Sequence, residues 1–549
     1  MGRLIRLRNL AAATAAVGLA AAAAPSSAAT KLGCTADSIR SVVAADTTIV
    51  SATPTAAPVP HCRIDGYVTT TNPGPNKVNF RLQLPDEGWT GRYFFIGLGA
   101  TAGYVPSDAQ LPTGNPLLAG FAVAGTDTGH QNRADWSFFG TNPAQGVDHL
   151  HRGAHVTAVA TQRITKAYYR ADKLWRYHSG CSGGGRMGTE AVTRHPEDYD
   201  GILLGAPGMG PKFGAETMIA FIYLGQQMHR EPGAWLSPAK LQMLDQKVTA
   251  HCDALDGASD GVVWKSEACA YDFKPLLCKS GDAPDCLTGP ELRSVEALLA
   301  GPPGPNGPIK AGYPITNMSV WSTFIGGPPP WPQPLTPENM RSASSGYFMG
   351  NSLARAYFGQ DYDGLKQFKF NDQKQIDDWW TGAARIGFGA AYSTDLSAFR
   401  NNGGKVIFWN GVSDPCCIDH DLISYYNTVG ERVGGPAQLE SFARFYRIPG
   451  MGHCGGGTGP QDAPDVLMKD LIAWVETGRA PGAVVAHRGE RAQQMFVDPA
   501  AKGQPGSAGV VVPVAVGSAR DFLLCPHPKS ARFNGRPGGE SDAANWSCS

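Results

Sequence analysis

The sequence predicts an α/β fold: a mostly parallel sheet with helices on both faces and a large inserted lid. Two blocks of short, apolar, β-rich runs alternate with helical stretches, one before residue 211 and one after residue 399. The stretch between them has another texture, with Gly/Pro-rich loops at 301–308 and 326–334 and many aromatic residues. At 549 residues the chain exceeds one ordinary domain and accommodates an enzyme core with an insertion.

At the start, Arg3, Arg6 and Arg8 precede an Ala-rich apolar run, and Pro25-Ser26-Ser27-Ala28-Ala29 follows it. A positive segment, a short apolar stretch and small residues at the end read as a signal peptide over 1–29. The run falls short of the roughly 20 apolar residues of a spanning helix, so export outside the cytoplasm is expected. Lys plus Arg equals Asp plus Glu at 47 each, which offers no basic excess for nucleic acid or an anionic membrane.

Twelve cysteines suit an oxidising compartment. Cys34/Cys62, Cys252/Cys269, Cys278/Cys286 and Cys525/Cys548 fall into close local pairs, leaving Cys181, Cys454 and the adjacent Cys416-Cys417. No C-x-x-C pair faces another such pair or a His pair, so the spacing does not read as zinc.

In the first block, 78–84, 92–97, 121–125, 174–178 and 202–205 read as strands and 155–169 as a helix. In the second, 405–410 and 442–448 read as strands and 465–476 as an amphipathic helix, with Pro464 before it as a start signal. A catalytic domain over 30–210 and 400–549 follows, with 211–399 as a lid over the sheet's C-terminal edge.

Gly180-Cys181-Ser182-Gly183-Gly184 matches the G-x-S-x-G elbow, in which a serine sits on a sharp turn from strand to helix. Gly257-Ala258-Ser259-Asp260-Gly261 matches it too. Ser182 follows an apolar strand and precedes a helical stretch, whereas Ser259 lies in an acidic, turn-rich loop. Ser182 is therefore the candidate nucleophile.

In α/β-hydrolases the acid and then the histidine follow the serine. Strand 405–410 ends in Gly411-Val412-Ser413-Asp414, and strand 442–448 ends in a glycine-rich loop carrying His453. A base near neutrality oriented by a carboxylate fits these two. Asp419 and Asp421 are rival acids expected in the next helix. His130 lies before the serine and reads as a residue that shapes the pocket or holds a loop. The amides of Gly183 and Gly99 are the candidate oxyanion donors.

These residues resemble the bacterial and fungal tannase and feruloyl esterase family over nearly all the chain after the leader. Cysteines adjoin both nucleophile and base in Cys181-Ser182 and His453-Cys454. Further matching segments are Asp127-Thr128-Gly129-His130, 194–202, Trp474-Val475-Glu476 and Cys525-Pro526 with Cys548. The resemblance implies a Cys181–Cys454 disulfide tethering elbow to histidine loop. It also implies a structural calcium ion in the lid, held by Asp253, Asp256 and Asp260 and the carbonyls of Ala258 and Val262. Without the resemblance the segment reads as a solvated acidic turn; a hard cation would neutralise the repulsion of its three carboxylates.

Two features depart from the family: a sparser glycine run at 97–100 and the Cys416-Cys417 pair. The implied substrates are aromatic esters, with feruloyl and other hydroxycinnamoyl esters first and galloyl or mono(hydroxyethyl) terephthalate esters as alternatives. The lid aromatics Phe324, Trp331, Trp379 and Trp380 are candidates for stacking on a phenolic ring. A peptidase, a lipase, or an inactive binding protein for polyphenol or polysaccharide are other readings of such a scaffold. Asn317-Met318-Ser319 spells a glycan acceptor whose use the sequence leaves open.

Overall fold

Nine strands form the central sheet: β1 (Thr47–Thr55), β2 (His61–Thr70), β3 (Asn76–Pro85), β4 (Arg92–Gly97), β5 (Ala122–Thr126), β6 (Trp175–Cys181), β7 (Gly201–Gly205), β8 (Lys405–Gly411) and β9 (Ala443–Ile448). Their spatial order is β1-β2-β3-β5-β4-β6-β7-β8-β9. The pairs among β1, β2, β3 and β5 are antiparallel; those from β5 through β4, β6, β7 and β8 to β9 are parallel. This computed structural model describes residues 31–106, 116–132, 135–207, 213–336, 338–340, 342–387, 393–496, 510–515 and 518–549. The expected leader, 1–29, lies outside the described residues.

Parallel strands are covered on both faces, which is why their sequences are continuously apolar. All five residues of β7 are buried, as are all of β8 after Lys405. Successive side chains still take opposite sides. Val406 and Phe408 face the core cluster that also holds Ala158, Ile164 and Tyr168 of the helix Gly153–Tyr169, with Phe408 against Tyr425 and Tyr426. Ile407 and Trp409 pack with Leu467, Leu471 and Trp474 of the helix Ala463–Thr477. The sheet is thus sandwiched, as in an α/β-hydrolase.

Between β7 and β8 run the helices Phe213–His229, Pro238–Cys252, Gly289–Ala300, Ser345–Phe358 and Gln373–Ile386. Their starts are written locally. Ser237 caps the second, and Thr288 and Glu291 form a reciprocal capping box on the third. They share an apolar cluster that includes Trp321, Tyr347 and Trp379. The insertion is fastened to the core by Lys310, whose Nζ lies 2.6 Å from Asp421 with a side chain only 3% exposed.

The β1–β2 hairpin was not expected. Its Thr- and Pro-bearing strands keep part of each face in water, so they lack the continuous apolar signal of β7 and β8. Antiparallel pairs near the C-terminus, Val484–Arg488 with Arg520–Leu524 and Ala531–Phe533 with Trp546–Cys548, were also unforeseen. Pro464 sits inside the first turn of its helix rather than before it. No helix among the described residues is long and apolar enough to cross a membrane.

Candidate active site

Strand β6 runs to Cys181 and the next helix begins at Gly183, so Ser182 alone makes the turn. Its backbone sits at φ 59° and ψ −119°, a region costly for a residue with a Cβ. The strain is held by the Ser182 amide, which donates to the Gly205 carbonyl at 2.9 Å. Crowding dictates the flanking glycines. A Cβ on Gly180 would stand 2.8 Å from the Gly97 Cα, and one on Gly184 2.3 Å from the Gly97 oxygen. The half-buried Ser182 does not cap the helix it precedes, so its hydroxyl is not spent on a backbone amide.

Asp414 is fully buried in the loop after β8. One carboxylate oxygen accepts the amides of Cys416 and Cys417, at 2.7 and 2.9 Å. The other lies 2.8 Å from Nδ1 of His453. With Nδ1 donating to a carboxylate, the neutral ring carries its lone pair on Nε2.

Burial pulls the His453 pKa down, but the charge of Asp414, that of Cys416 and the Asp414 hydrogen bond outweigh it, raising it to about 9. The loop after β9 turns through positive φ at Gly450, Cys454, Gly455, Gly456 and Gly457. It meets the acid loop where the Ser413 amide donates to the Met451 carbonyl at 3.0 Å. Cys181 and Cys454 form a disulfide with a Cα–Cα separation of 5.9 Å, joining the residue before Ser182 to the residue after His453. The other disulfides are Cys34–Cys62, Cys252–Cys269, Cys278–Cys286 and Cys525–Cys548.

The loop after β4 lies directly on the elbow. A Cβ on Gly183 would come within 2.9 Å of the Ala100 nitrogen and 3.0 Å of the Gly99 carbonyl carbon. The peptide joining Gly99 to Ala100, whose N–H belongs to Ala100, therefore borders Gly183, and φ values of 50° at Ala100 and 56° at Ala102 fold this loop without a glycine run.

The rival residues are engaged elsewhere. Asp419 starts the helix Asp419–Arg432 and pairs with Arg447 at 2.7 Å, while Asp421 holds Lys310. His130 stacks on Phe138 and lies 3.3 Å from His149; burial pushes its pKa down to about 4. It is a buried loop residue.

Of the four lid aromatics, Phe324 meets His453, edge-on with centroids 5.4 Å apart. Phe221 stacks behind it at 4.8 Å. Trp331 and Trp379 are lid core, their indole nitrogens bonded to Gly327 and Ala215. Trp380 packs half-buried against the same cluster.

One residue gained a role that its sequence context did not suggest. Asn317, 7% exposed, donates to the Ser413 hydroxyl at 3.2 Å and accepts from the amide and hydroxyl of Thr458. It clamps the acid and histidine loops together from the lid. Its buried, engaged amide is not presented as a glycan acceptor. The only cue was its place in an acceptor triplet, which signals a different chemistry.

The loop bearing Asp253, Asp256 and Asp260 is rich in hard oxygen donors. Asp253 accepts the amides of Asp260 and Gly261, Asp256 those of Ala258 and Trp264, and Asp260 that of Val262. Burial, with the charges of Asp260 and Asp253 added, pushes the Asp256 pKa up to about 6. Arg520 pairs with Asp260 at 2.6 Å, both side chains nearly inaccessible, and the charge of Arg488 also acts on Asp260. This donor chemistry suits calcium, although the three carboxylates do not converge within 4.8 Å. Among the described residues, the metal-ligating groups that do are Cys416/Cys417/His453 and His155/His195/Asp198.

Comparison with known proteins accords with this geometry. The family described as tannase and feruloyl esterase matches residues 62–549. A mono(2-hydroxyethyl) terephthalate hydrolase of Piscinibacter sakaiensis is 30% identical, over 90% of this chain and 86% of that protein. Feruloyl esterase B of Aspergillus niger is 29% identical, over 77% and 79%. The crystal structure of an esterase from Aspergillus oryzae superposes with a TM-score of 0.75 at 22% identity, covering 95% of this chain and all of that one. The chain belongs to the tannase and feruloyl esterase family and is a carboxylic ester hydrolase.

Proposed function

We propose that the protein is a secreted serine esterase that cleaves aromatic, above all feruloyl, esters through Ser182, His453 and Asp414. His453 Nε2 takes the Ser182 proton as the hydroxyl attacks the ester carbonyl. Asp414 stabilises the imidazolium, and the amides of Gly183 and Gly99 hold the oxyanion. The alcohol departs, and water deprotonated by His453 releases the acid from the acyl-enzyme. The observation that carries this reading is the 2.8 Å contact between Asp414 and His453, on a loop bridged by cystine to the residue before Ser182.

The aromatic preference is supported by Phe324 and Phe221 beside His453 and by relatives whose names specify aromatic acids. A terephthalate monoester is the second reading, favoured by the 30% identity to a hydrolase of that class over most of the chain; galloyl esters are the third. Methyl ferulate, methyl gallate and mono(hydroxyethyl) terephthalate assayed side by side decide among them, with methyl ferulate expected to give the highest kcat/KM. Equal rates on long-chain acyl or peptide substrates would refute the aromatic assignment.

A calcium ion held by Asp253, Asp256, Asp260 and the carbonyls of Ala258 and Val262 belongs to the same proposal, as a structural element. Bound there, it would offset the mutual repulsion of the three clustered carboxylates. Calcium is expected to raise Tm and a chelator to lower it, with both effects absent in Asp253→Asn. An unchanged Tm in the wild type would remove the ion from this account. Export is tested by whether the mature chain isolated from culture begins after Ala29.

A further inference from the structure

Cys416 and Cys417 are the free cysteines among the described residues. Both are buried, in the turn whose amides hold Asp414. Their sulfurs stand 3.8 Å apart, and a ring nitrogen of His453 lies within 4.8 Å of both. We propose that these three side chains form a binding site for a soft d10 cation, zinc foremost, whose occupancy switches the esterase off.

Local spacing hid the site because Cys416-Cys417 has no second cysteine pair; the fold brings its third ligand from the loop after β9. The distances suit the ion. Zinc–thiolate bonds of about 2.3 Å meeting at a tetrahedral angle set two sulfurs about 3.8 Å apart. With a zinc–imidazole bond of about 2.0 Å, the ring nitrogen falls roughly 3.5 Å from each sulfur, inside the observed limit. Three protein ligands leave the fourth position to water.

Binding exchanges protons for metal: both S–H bonds break, two protons pass to solvent, two Zn–S bonds form, and nothing is oxidised. The effect on catalysis follows from either ring nitrogen. A cation on Nε2 removes the lone pair that accepts the Ser182 proton, and one on Nδ1 displaces Asp414. The inhibition rests on the proposed role of His453, whereas binding itself does not, so the two are read separately.

The probe is cadmium, added with excess calcium to protein in which two thiols titrate under denaturing, non-reducing conditions. A thiolate-to-cadmium ultraviolet absorption saturating at one ion per chain is expected in wild type and Ser182→Ala alike. It should vanish in Cys416→Ser/Cys417→Ser and weaken in either single variant, and zinc should compete it away. Zinc should abolish wild-type hydrolysis, and a chelator followed by restored calcium should recover it. The double variant, measured against its own metal-free rate, should need more than about 100-fold more zinc. Fewer than two free thiols, no cadmium band, or undiminished zinc sensitivity in the cysteine variants would overturn the site. A full cadmium band with activity retained would take His453 out of the ligand set and overturn the switch.

Discussion

Ser182 and Ser259 each stand at the centre of a Gly-x-Ser-x-Gly segment, and the fold treats the two differently at every level. Ser182 is half-buried at φ 59°, ends a parallel strand and starts a 12-residue helix. Ser259 is exposed in an irregular loop that follows one 3-10 turn. Around Ser182 the glycines answer to crowding: a Cβ on Gly180 or Gly184 would collide with the backbone of β4. Around Ser259 they answer to dihedral angle. Gly257 and Gly261 take φ of 94° and 76°, and a Cβ on either would meet open space. One pattern thus records two physical requirements, and only the first sets a serine on a strained strand-to-helix turn against the backbone of the loop after β4.

The sharpest way to break this contrast is to remove each hydroxyl. Ser182→Ala should lower kcat by about 10⁵–10⁶-fold, and Ser259→Ala should leave it unchanged. Parity between the two variants would abolish the distinction.

The next effect concerns the base. His453 must be neutral to accept a proton, so kcat/KM should rise with pH through a limb displaced above the ordinary 6.5 toward about 9. Asp414→Asn removes the larger of the two charges that raise it, so the limb should move acidward, and kcat should fall about 10⁴-fold. A limb unmoved by that substitution would mean that another group sets the profile.

Smaller losses separate tether from staple. Cys181→Ser/Cys454→Ser should lower kcat about 100-fold by loosening triad geometry. Cys525→Ser/Cys548→Ser, in the C-terminal hairpin, should cost about 2–4 kcal/mol of stability with kcat retained. Equal kinetic losses would make the active-site cystine a mere staple.

Smallest are the glycines themselves. Gly184→Ala must shift β4 or the elbow, costing about 1–3 kcal/mol together with activity. Gly257→Ala should cost about 1 kcal/mol from its positive φ and leave kinetics intact.

Legibility followed the range of each interaction. Strands β7 and β8 were plain because burial on both faces writes an unbroken apolar run, and Asp414 and His453 stood out at strand ends. The β1–β2 hairpin was not plain, since its half-wet Thr- and Pro-bearing strands resemble a loop. Contacts between distant segments were hidden altogether. Asn317 reaches two loops only once the lid has folded back. Arg520 meets Asp260 from 260 positions away. The Cys416–Cys417–His453 grouping exists only because β8 and β9 are neighbours.

The account's central claim is that Ser182 carries the acyl group and that His453 activates it. Rapid quenching during turnover of an aromatic ester, followed by peptide mass analysis, tests it most directly. One acyl adduct on the Ser182 peptide is predicted, absent in Ser182→Ala and formed far more slowly in His453→Ala. An adduct on another residue, or full turnover by Ser182→Ala, would contradict it.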